Sequence, residues 1–482
     1  MAFKKIIMKK KEICCIGAGY VGGPTMSVIA SKCPDYNITV VDVNKDRIDQ
    51  WNGDIDNLPI YEPGLKEIVY KHRNDNLFFS DKVDDAIKNS SIIFIAVNTP
   101  TIDHGEGKGM ATDLTYIEEC AKRIAKISSS NKIIVEKSTA PIGTAQKIKK
   151  VLSSNKKVKF EIISNPEFLA EGTAIDDLQD PDRVLIGGDN TPNAIDAINE
   201  IVKIYSHWVK KEKIITTNLW SSELSKLASN AFLAQRVSSI NSLSALCEVS
   251  GASIKEVSRA VGADKRIGDK FLVSSIGFGG SCFKKDILNL VYLCKYYGLD
   301  EVSNYWYNVI KINDYQKSRF VTRIIKNLDG SIENKIISIL GWAFKKDTND
   351  SRESASIDVA AYLLNNGAYL KIYDPMVNIK KIKEDLALRL NQEGYNDNEI
   401  KLLLKKVKIL KNMYDTIEES DCISFLTEWD EFKQINWKDV KRLVKGSLFV
   451  ADGRNIFDFE SLNGKVDNYI SIGTPNINHF DK

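Results

Sequence analysis

Over roughly the first 218 residues, short runs of β-branched and aliphatic side chains alternate with stretches of helical spacing. The runs predict strands at Ile13–Ile16, Ile38–Asp42, Ile92–Val97, Ile133–Glu136, Glu161–Ser164, Val184–Ile186 and Lys213–Thr216. They are continuously apolar, as strands buried on both faces are, and the helical stretches between them imply a parallel, doubly wound sheet. From Trp220 to about Leu328 the strand signal vanishes. Leu224, Leu227, Ala228, Ala231, Phe232, Val237, Ile240, Leu243 and Leu246 recur at helical spacing and predict one long helix up to Gly251, then further helices. Their apolar stripe reads as domain-core and subunit packing. A second alternating region opens at Lys335–Gly341, with strands predicted at Leu370–Tyr373, Ile423–Leu426, Leu448–Ala451 and Tyr469–Ile472. The lysine-rich, helically patterned stretch Asn378–Leu410 reads as a solvated surface excursion, and the tail from Thr474 as poorly ordered. The expected domains are therefore 1–218 (α/β), 219–330 (helical) and 331–482 (α/β), the two α/β lobes sharing no visible sequence repeat.

At 482 residues the chain is too long for one ordinary core, in keeping with two or three domains. The balance of 67 basic against 64 acidic side chains, net +3, offers no reason to expect nucleic acid or an anionic membrane as partner. No stretch approaches the roughly 20 apolar residues of a membrane span, and the basic N-terminus lacks the apolar run of a signal peptide. Eight cysteines are scattered without a C-x-x-C pair, which suits a reduced, cytoplasmic setting. The four histidines are isolated, so no metal is expected.

Two motifs carry chemistry. Gly17-Ala18-Gly19-Tyr20-Val21-Gly22 follows the first strand and opens a helix. Its glycines suit a tight turn, close backbone approach to a pyrophosphate and close helix–strand packing, and the helix N-terminus meets the phosphate charge. Asp42, twenty positions beyond Gly22, can bind both ribose hydroxyls and would repel a 2′-phosphate, favouring NAD over NADP. The second lobe keeps one glycine in Gly341-Trp342-Ala343-Phe344-Lys345-Lys346-Asp347. Its lysines read first as solvated, and otherwise suit an anionic substrate better than a second dinucleotide. The other motif is Ile276-Gly277-Phe278-Gly279-Gly280-Ser281-Cys282, with a helix expected to follow. Cys282 is predicted in that helix's first turn, where the dipole favours a thiolate, with Asp286 four residues on and on the same face. Covalent redox catalysis and a merely buried cysteine both remain open on this tract alone.

Taken together, these segments resemble the UDP-glucose/GDP-mannose dehydrogenase family, and within it the branch acting on UDP-glucose. The resemblance runs from about Glu12 to Gly473 and is weakest between Asn378 and Leu410. It rests on the Gly17 fingerprint, Val97-Asn98-Thr99-Pro100-Thr101, Glu136-Lys137-Ser138-Thr139, Asn165-Pro166-Glu167-Phe168-Leu169-Ala170-Glu171-Gly172, Glu223 to Phe232, the Cys282 tract and Phe344-Lys345-Lys346-Asp347-Thr348. It implies two Rossmann-like, doubly wound lobes joined by a long central helix and helical middle domain. NAD would lie on the first lobe and the UDP group on the second, and the assembly would be a homo-oligomer, dimeric or larger.

The implied reaction oxidises the C6 alcohol of UDP-glucose to UDP-glucuronate, with two NAD and one water consumed. Cys282 would be the nucleophile, passing through a thiohemiacetal and a thioester. Lys226 and Asn230, four apart on one helix, would stabilise the oxyanion at C6. Asp286 and Thr139 would hold a proton-accepting water, and Glu167 would be the acid/base of the covalent steps. NAD contacts are implied for Gly17, Gly19, Tyr20, Val21, Gly22, Asp42, Arg47, Val97, Thr99, Ser138 and Thr139, with Glu171 by the nicotinamide and Arg352 reaching the phosphates. Sugar-nucleotide contacts are implied for Phe168, Leu169, Arg266, Phe278, Gly279, Phe344 and Lys345, in a cleft between the lobes, and for Arg454 from a neighbouring subunit. A sister enzyme for GDP-mannose or a UDP-N-acetylhexosamine would share the cysteine, the lysine and NAD. A dehydrogenase performing a single oxidation and a non-catalytic NAD-binding scaffold are the further alternatives.

Overall fold

The computed structural model describes residues 10–475. Two compact units divide the chain, Met1–Ser229 and Asn230–Lys482, and the predicted disorder of the tail lies largely outside the described residues.

The first unit is built on eight strands: β1 (Lys11–Ile16), β2 (Tyr36–Val41), β3 (Leu77–Ser80), β4 (Ile92–Ile95), β5 (Lys132–Glu136), β6 (Phe160–Ser164), β7 (Val184–Gly188) and β8 (Ile214–Thr217). Their order is β3-β2-β1-β4-β5-β6-β7-β8. The first six positions are the doubly wound dinucleotide-binding order. All pairings are parallel except β6 with β7, a departure from the wholly parallel sheet expected. The uninterrupted apolar runs have a direct cause, because successive residues enter different cores. Ile13 and Cys15 join one buried cluster, while Cys14 and Ile16 join another.

The second unit carries β9 (Ile336–Leu340), β10 (Tyr369–Tyr373), β11 (Val407–Ile409), β12 (Cys422–Phe425), β13 (Phe449–Asp452) and β14 (Asn468–Ser471). Its order, β11-β10-β9-β12-β13-β14, is parallel throughout and repeats the same winding. The two units also share a detail at the end of their first strands. Gly17 donates to Val41 O and Gly341 to Tyr373 O, each at 2.8 Å. An aspartate just past the second strand then accepts from the following turn: Asp42 from Ala18 N at 3.0 Å, Asp374 from Trp342 N at 2.6 Å.

The central helix, Leu219–Ser250, starts in the first unit and runs on into the second, ending just before Gly251 as the apolar spacing predicts. Beyond it come Ile254–Gly262, Phe283–Tyr296 and the long helix Asp300–Asn327, whose Phe320, Val321 and Ile324 enter the core of the second sheet.

One expectation is corrected. Asn378–Leu410 is no solvated excursion: the helix Ile379–Gln392 buries Ile382, Leu386 and Leu390 in that core, and the segment ends in β11. Lysines 380 and 383 occupy its other face, so charge density masked a buried stripe at four-residue spacing. Among the described residues no helix is long and apolar enough to cross a membrane.

Candidate active site

In the first unit, the turn after β1 is shaped for a dinucleotide. Gly17 has φ +113°, and a Cβ there would stand 2.3 Å from Ala96 O. A Cβ on Gly22 would fall 1.9 Å from Gly17 O, whereas one on Gly19 would meet nothing within 4 Å. Two glycines therefore close the turn and the third leaves its surface open to a ligand. The helix Gly22–Lys32 begins behind Val21, with no side-chain cap and no acid in its first turn, so its N-terminal field is not neutralised locally. Tyr20 and Val21 are half-buried beside it. Asp42 accepts from Ala18 N and Asn44 N, and Arg47 Nη1 lies 3.7 Å from its Oδ2. These residues fit NAD: an open glycine, an uncapped helix start and a carboxylate at the end of β2.

The ends of β4 and β5 are tied together next to this turn. Ser138 Oγ donates to Val97 O at 2.7 Å and Thr99 Oγ1 to Thr139 O at 2.8 Å. The Glu171 loop is held from below by Glu62, which accepts from Gly172 N at 2.8 Å and Ala174 N at 3.2 Å.

Glu167 follows β6 in the same unit. Its Oε2 lies 2.9 Å from Lys137 Nζ and accepts from Thr25 Oγ1 at 3.2 Å, and its Oε1 accepts Phe168 N at 2.9 Å. Burial pushes this carboxyl up, but the Lys137 charge and hydrogen bond, the Phe168 amide and the Lys226 charge outweigh it and hold the group below its ordinary value. Phe168 is flanked by cations, with the Arg183 guanidinium 3.9 Å and Lys226 Nζ 5.4 Å from the ring centre. Leu169 packs against the core behind it.

In the second unit, Cys282 is the one exposed cysteine among the described residues, all eight of which are unpaired. Cys14 is wholly buried, and burial pushes its thiol up to about 12. Cys282 is the N-cap of the helix Phe283–Tyr296 rather than a first-turn residue, and its carbonyl accepts Asp286 N at 2.9 Å. Asp286 is almost fully buried, with Oδ2 accepting Asn230 Nδ2 at 2.6 Å and Oδ1 3.0 Å from Lys285 Nζ. Two catalytic candidates 56 positions apart are thus in direct contact.

The loop before Cys282 is fastened on several sides. Asn313 grips the backbone of Phe278 in both directions, accepting its N–H at 2.8 Å and donating to its carbonyl at 3.0 Å. Gly280 N donates to Arg352 O at 2.9 Å. A Cβ at Gly279 would lie 2.5 Å from Glu353 O and 3.0 Å from the Phe344 side chain. Lys345 Nζ lies 5.7 Å from the centre of the Phe344 ring. Arg454 donates within its own chain to Leu426 O at 2.8 Å and Phe344 O at 2.5 Å. Its two carbonyl partners orient the guanidinium along the Phe344 segment. Arg352 pairs bidentately with Asp350, and the exposed Arg266 pairs with Asp264.

Lys137, Asn165, Tyr205 and Asn313 are constituents that sequence reasoning left without a role. Lys137 was visible as a cation directly after a buried strand, a place where a lysine needs a partner. The others gave no signal, because their partners lie 28 to 68 positions away.

Comparison with known proteins agrees with this arrangement. The chain matches the UDP-glucose/GDP-mannose dehydrogenase family over its NAD binding domain at residues 11–209, its central domain at 220–315 and its UDP binding domain at 338–459. It is 54% identical over 451 residues to the UDP-glucose 6-dehydrogenase of Gallus gallus, covering 93% of this chain and 90% of that one. It is 53% identical over 471 residues to UDP-glucose 6-dehydrogenase 2 of Arabidopsis thaliana, covering 96% and 97%. Among solved structures, a UDP-glucose dehydrogenase from the hyperthermophilic archaeon Pyrobaculum islandicum superimposes with a TM-score of 0.79 at 27% identity, covering 96% of this chain and 98% of that one. With an NAD-binding first unit and a UDP-binding second one, the chain belongs to the UDP-glucose/GDP-mannose dehydrogenase family.

Proposed function

We infer that this protein oxidises UDP-glucose to UDP-glucuronate, converting the C6 alcohol, two NAD and one water into a carboxylate, two NADH and three protons. The observation that carries this reading is identity above one half, over nine-tenths of the chain, to proteins named for that activity, together with the exposed Cys282 at the start of a helix.

NAD, when bound, supplies the acceptor for the two hydrides. The chain's own residues do the rest. Asp286 and Thr139 hold the water that takes the proton from the C6 hydroxyl in the first oxidation. Cys282 Sγ then adds to the aldehyde carbon as the thiol proton passes to the C6 oxygen, giving a thiohemiacetal that becomes a thioester when its C–H hydrogen leaves as hydride and its O–H proton passes through Glu167 to solvent. Glu167 deprotonates the water that attacks the thioester, and the C–S bond breaks with the electron pair returning to sulfur. Lys226 and Asn230 stabilise the oxyanion as each tetrahedral centre forms. Arg352 meets the cofactor phosphates. Phe344, Lys345 and Arg454 receive the sugar nucleotide with Phe278 and Gly279, and Arg266 adds a cation. Exposed Phe232, Leu243, Leu246 and Val249 on the central helix support a homo-oligomer. Eight unpaired cysteines suit a reducing, cytoplasmic setting.

Purified protein given NAD and a panel of nucleotide sugars is expected to turn over UDP-glucose in preference to GDP-mannose and UDP-N-acetylhexosamines, with two NADH per UDP-glucose. One NADH per sugar with an aldehyde product would overturn the thioester scheme. Cys282→Ser is expected to stop carboxylate formation, and undiminished UDP-glucuronate from that variant would remove sulfur from the mechanism.

A further inference from the structure

Behind Glu167 the first unit encloses a small polar cradle that the scheme above leaves unused. Lys137 follows β5 and is only 2% exposed. Its ammonium has three N–H bonds, and three acceptors surround it: Glu167 Oε2 at 2.9 Å, Asn165 Oδ1 at 3.1 Å and the Tyr205 hydroxyl at 3.1 Å. Tyr205 donates onward to Asn165 Oδ1 at 2.7 Å, and Asn165 Nδ2 to Leu185 O on β7 at 2.8 Å. The cation is thus fastened to the sheet through Asn165 and to the helix Pro192–Tyr205.

We propose that Lys137 is a positioning residue for Glu167, locking Oε2 in place so that Oε1 is the oxygen that exchanges protons during thioester hydrolysis. The inference rests on the acid/base role read for Glu167. Oε2 already receives Lys137 and Thr25, whereas Oε1 receives the Phe168 amide and keeps a second lone pair for water. The charged groups around Glu167 are Lys137 from β5 and Lys226 from the central helix, with Tyr205, Asp177 and Arg183 lining the same pocket. Burial works against Lys137's charge, yet Glu167 and Tyr205 keep it protonated above its ordinary range. Burial likewise opposes the Glu167 charge, and Lys137 leads the groups that overcome it. Glu167 is therefore a standing carboxylate, ready as a base, across neutral pH.

The test is the acidic limb of the kcat–pH profile, assigned first by its loss in Glu167→Gln. Lys137→Gln keeps a hydrogen-bond donor but removes the charge, and is expected to move that limb upward by about one to two pH units. In the acid range its kcat falls about tenfold or more while KM for UDP-glucose stays within about threefold, since a pure positioning defect acts on the chemical step. Lys137→Arg, which restores the charge, is expected to bring the limb back toward the parent. A folded Lys137→Gln with an unmoved limb, or a Lys137→Arg limb shifted as far as that of Lys137→Gln, would overturn the proposal. Should Lys137→Gln fail to fold by circular dichroism, Thr25→Val takes its place. That variant removes the other donor to Oε2, so a smaller upward shift supports the proposal and none refutes it. If instead Glu167→Gln itself forms UDP-glucuronate at the parent rate, the role read for Glu167 fails, whatever Lys137 does.

Discussion

Glu136 ends β5 almost wholly sealed from solvent, beside Glu223, whose two oxygens accept the N–H groups of Gly143 and Ala145 at 2.7 Å each. With Glu223 satisfied by those amides, burial and then the Glu223 charge push the Glu136 carboxyl well above its ordinary value. Glu136 thus keeps its proton to higher pH than an exposed glutamate does. The folded state binds that proton more tightly than the unfolded chain, so stability falls as pH rises above the unfolded value of about 4.3, by up to about 1.4 kcal/mol per pH unit until the folded value is passed. Glu136→Gln keeps a donor for Glu223 without a titrating proton, and its stability is expected to vary less as pH rises above about 4.3. Thermal melts across that range check this, and parallel slopes in parent and variant would refute it. None of this was legible in Glu136-Lys137-Ser138-Thr139, although the tract itself stood out. A proton shared by two carboxylates is a property of the distance between them, and Glu223 sits 87 positions further on. Cys282 is the opposite case: its glycine-rich approach and following helix are local and legible in the sequence, which missed only that Cys282 caps the helix instead of entering it.

At the scale of elements, the loop carrying Cys282 is held by helices that are distant in sequence. Asn313, on the helix Asp300–Asn327, pairs with both backbone groups of Phe278 much as a neighbouring strand would. Asn313→Ala leaves two buried backbone groups without partners and is expected to cost about 2–4 kcal/mol of stability in urea unfolding. A kcat loss larger than the KM change should accompany it, because the loop that presents Cys282 is freed. A variant as stable and active as the parent would show that the glycine loop holds its shape unaided. The elements that sequence reading missed have a common cause. β3 has four residues and β11 three, both at sheet edges, and so short a run carries little periodic signal. The helix Ile379–Gln392 was seen but misplaced. Only the core reveals that Asp385 receives Trp342 Nε1 at 3.1 Å and a second bond from Ser351 Oγ at 2.5 Å.

Over the whole molecule, the two units repeat one winding but use its ligand-binding turn differently. Asp42 keeps part of its carboxylate accessible, whereas Asp374 is saturated by the N–H groups of Trp342, Ala343, Met376 and Val377 and by Trp429 Nε1. The second unit therefore has no carboxylate free at the place where the first presents Asp42. The second unit also holds a buried ion pair that responds to pH. Lys317, 2% exposed, binds Asp358 at 2.6 Å, and Arg389 binds its other oxygen at 2.5 Å, joining three helices. Burial raises the Asp358 carboxyl, but Lys317 and Arg389 hold it below its ordinary value. That contribution is complete above the unfolded value of about 3.9 and is lost as pH falls through the lower folded value. Asp358→Asn is expected to cost about 3–5 kcal/mol near pH 7, since it leaves Lys317 buried without its main counter-charge. Its acid dependence should be shallower than the parent's, and unfolding curves at about pH 7 and pH 3 that differ equally in the two proteins would count against the ion pair. The sequence alone determined the alternation of strands and helices, the dinucleotide turn, the long helix and the glycine-rich approach to Cys282, because each is written in residues close together and in the period of burial. The tertiary structure alone decided that Lys137 binds Glu167, that Asn230 holds Asp286, that Asp374 is saturated by its own turn and that the lysine-rich helix belongs to a core. Those pairings form where the chain returns upon itself, and no local pattern records which residue will be waiting there.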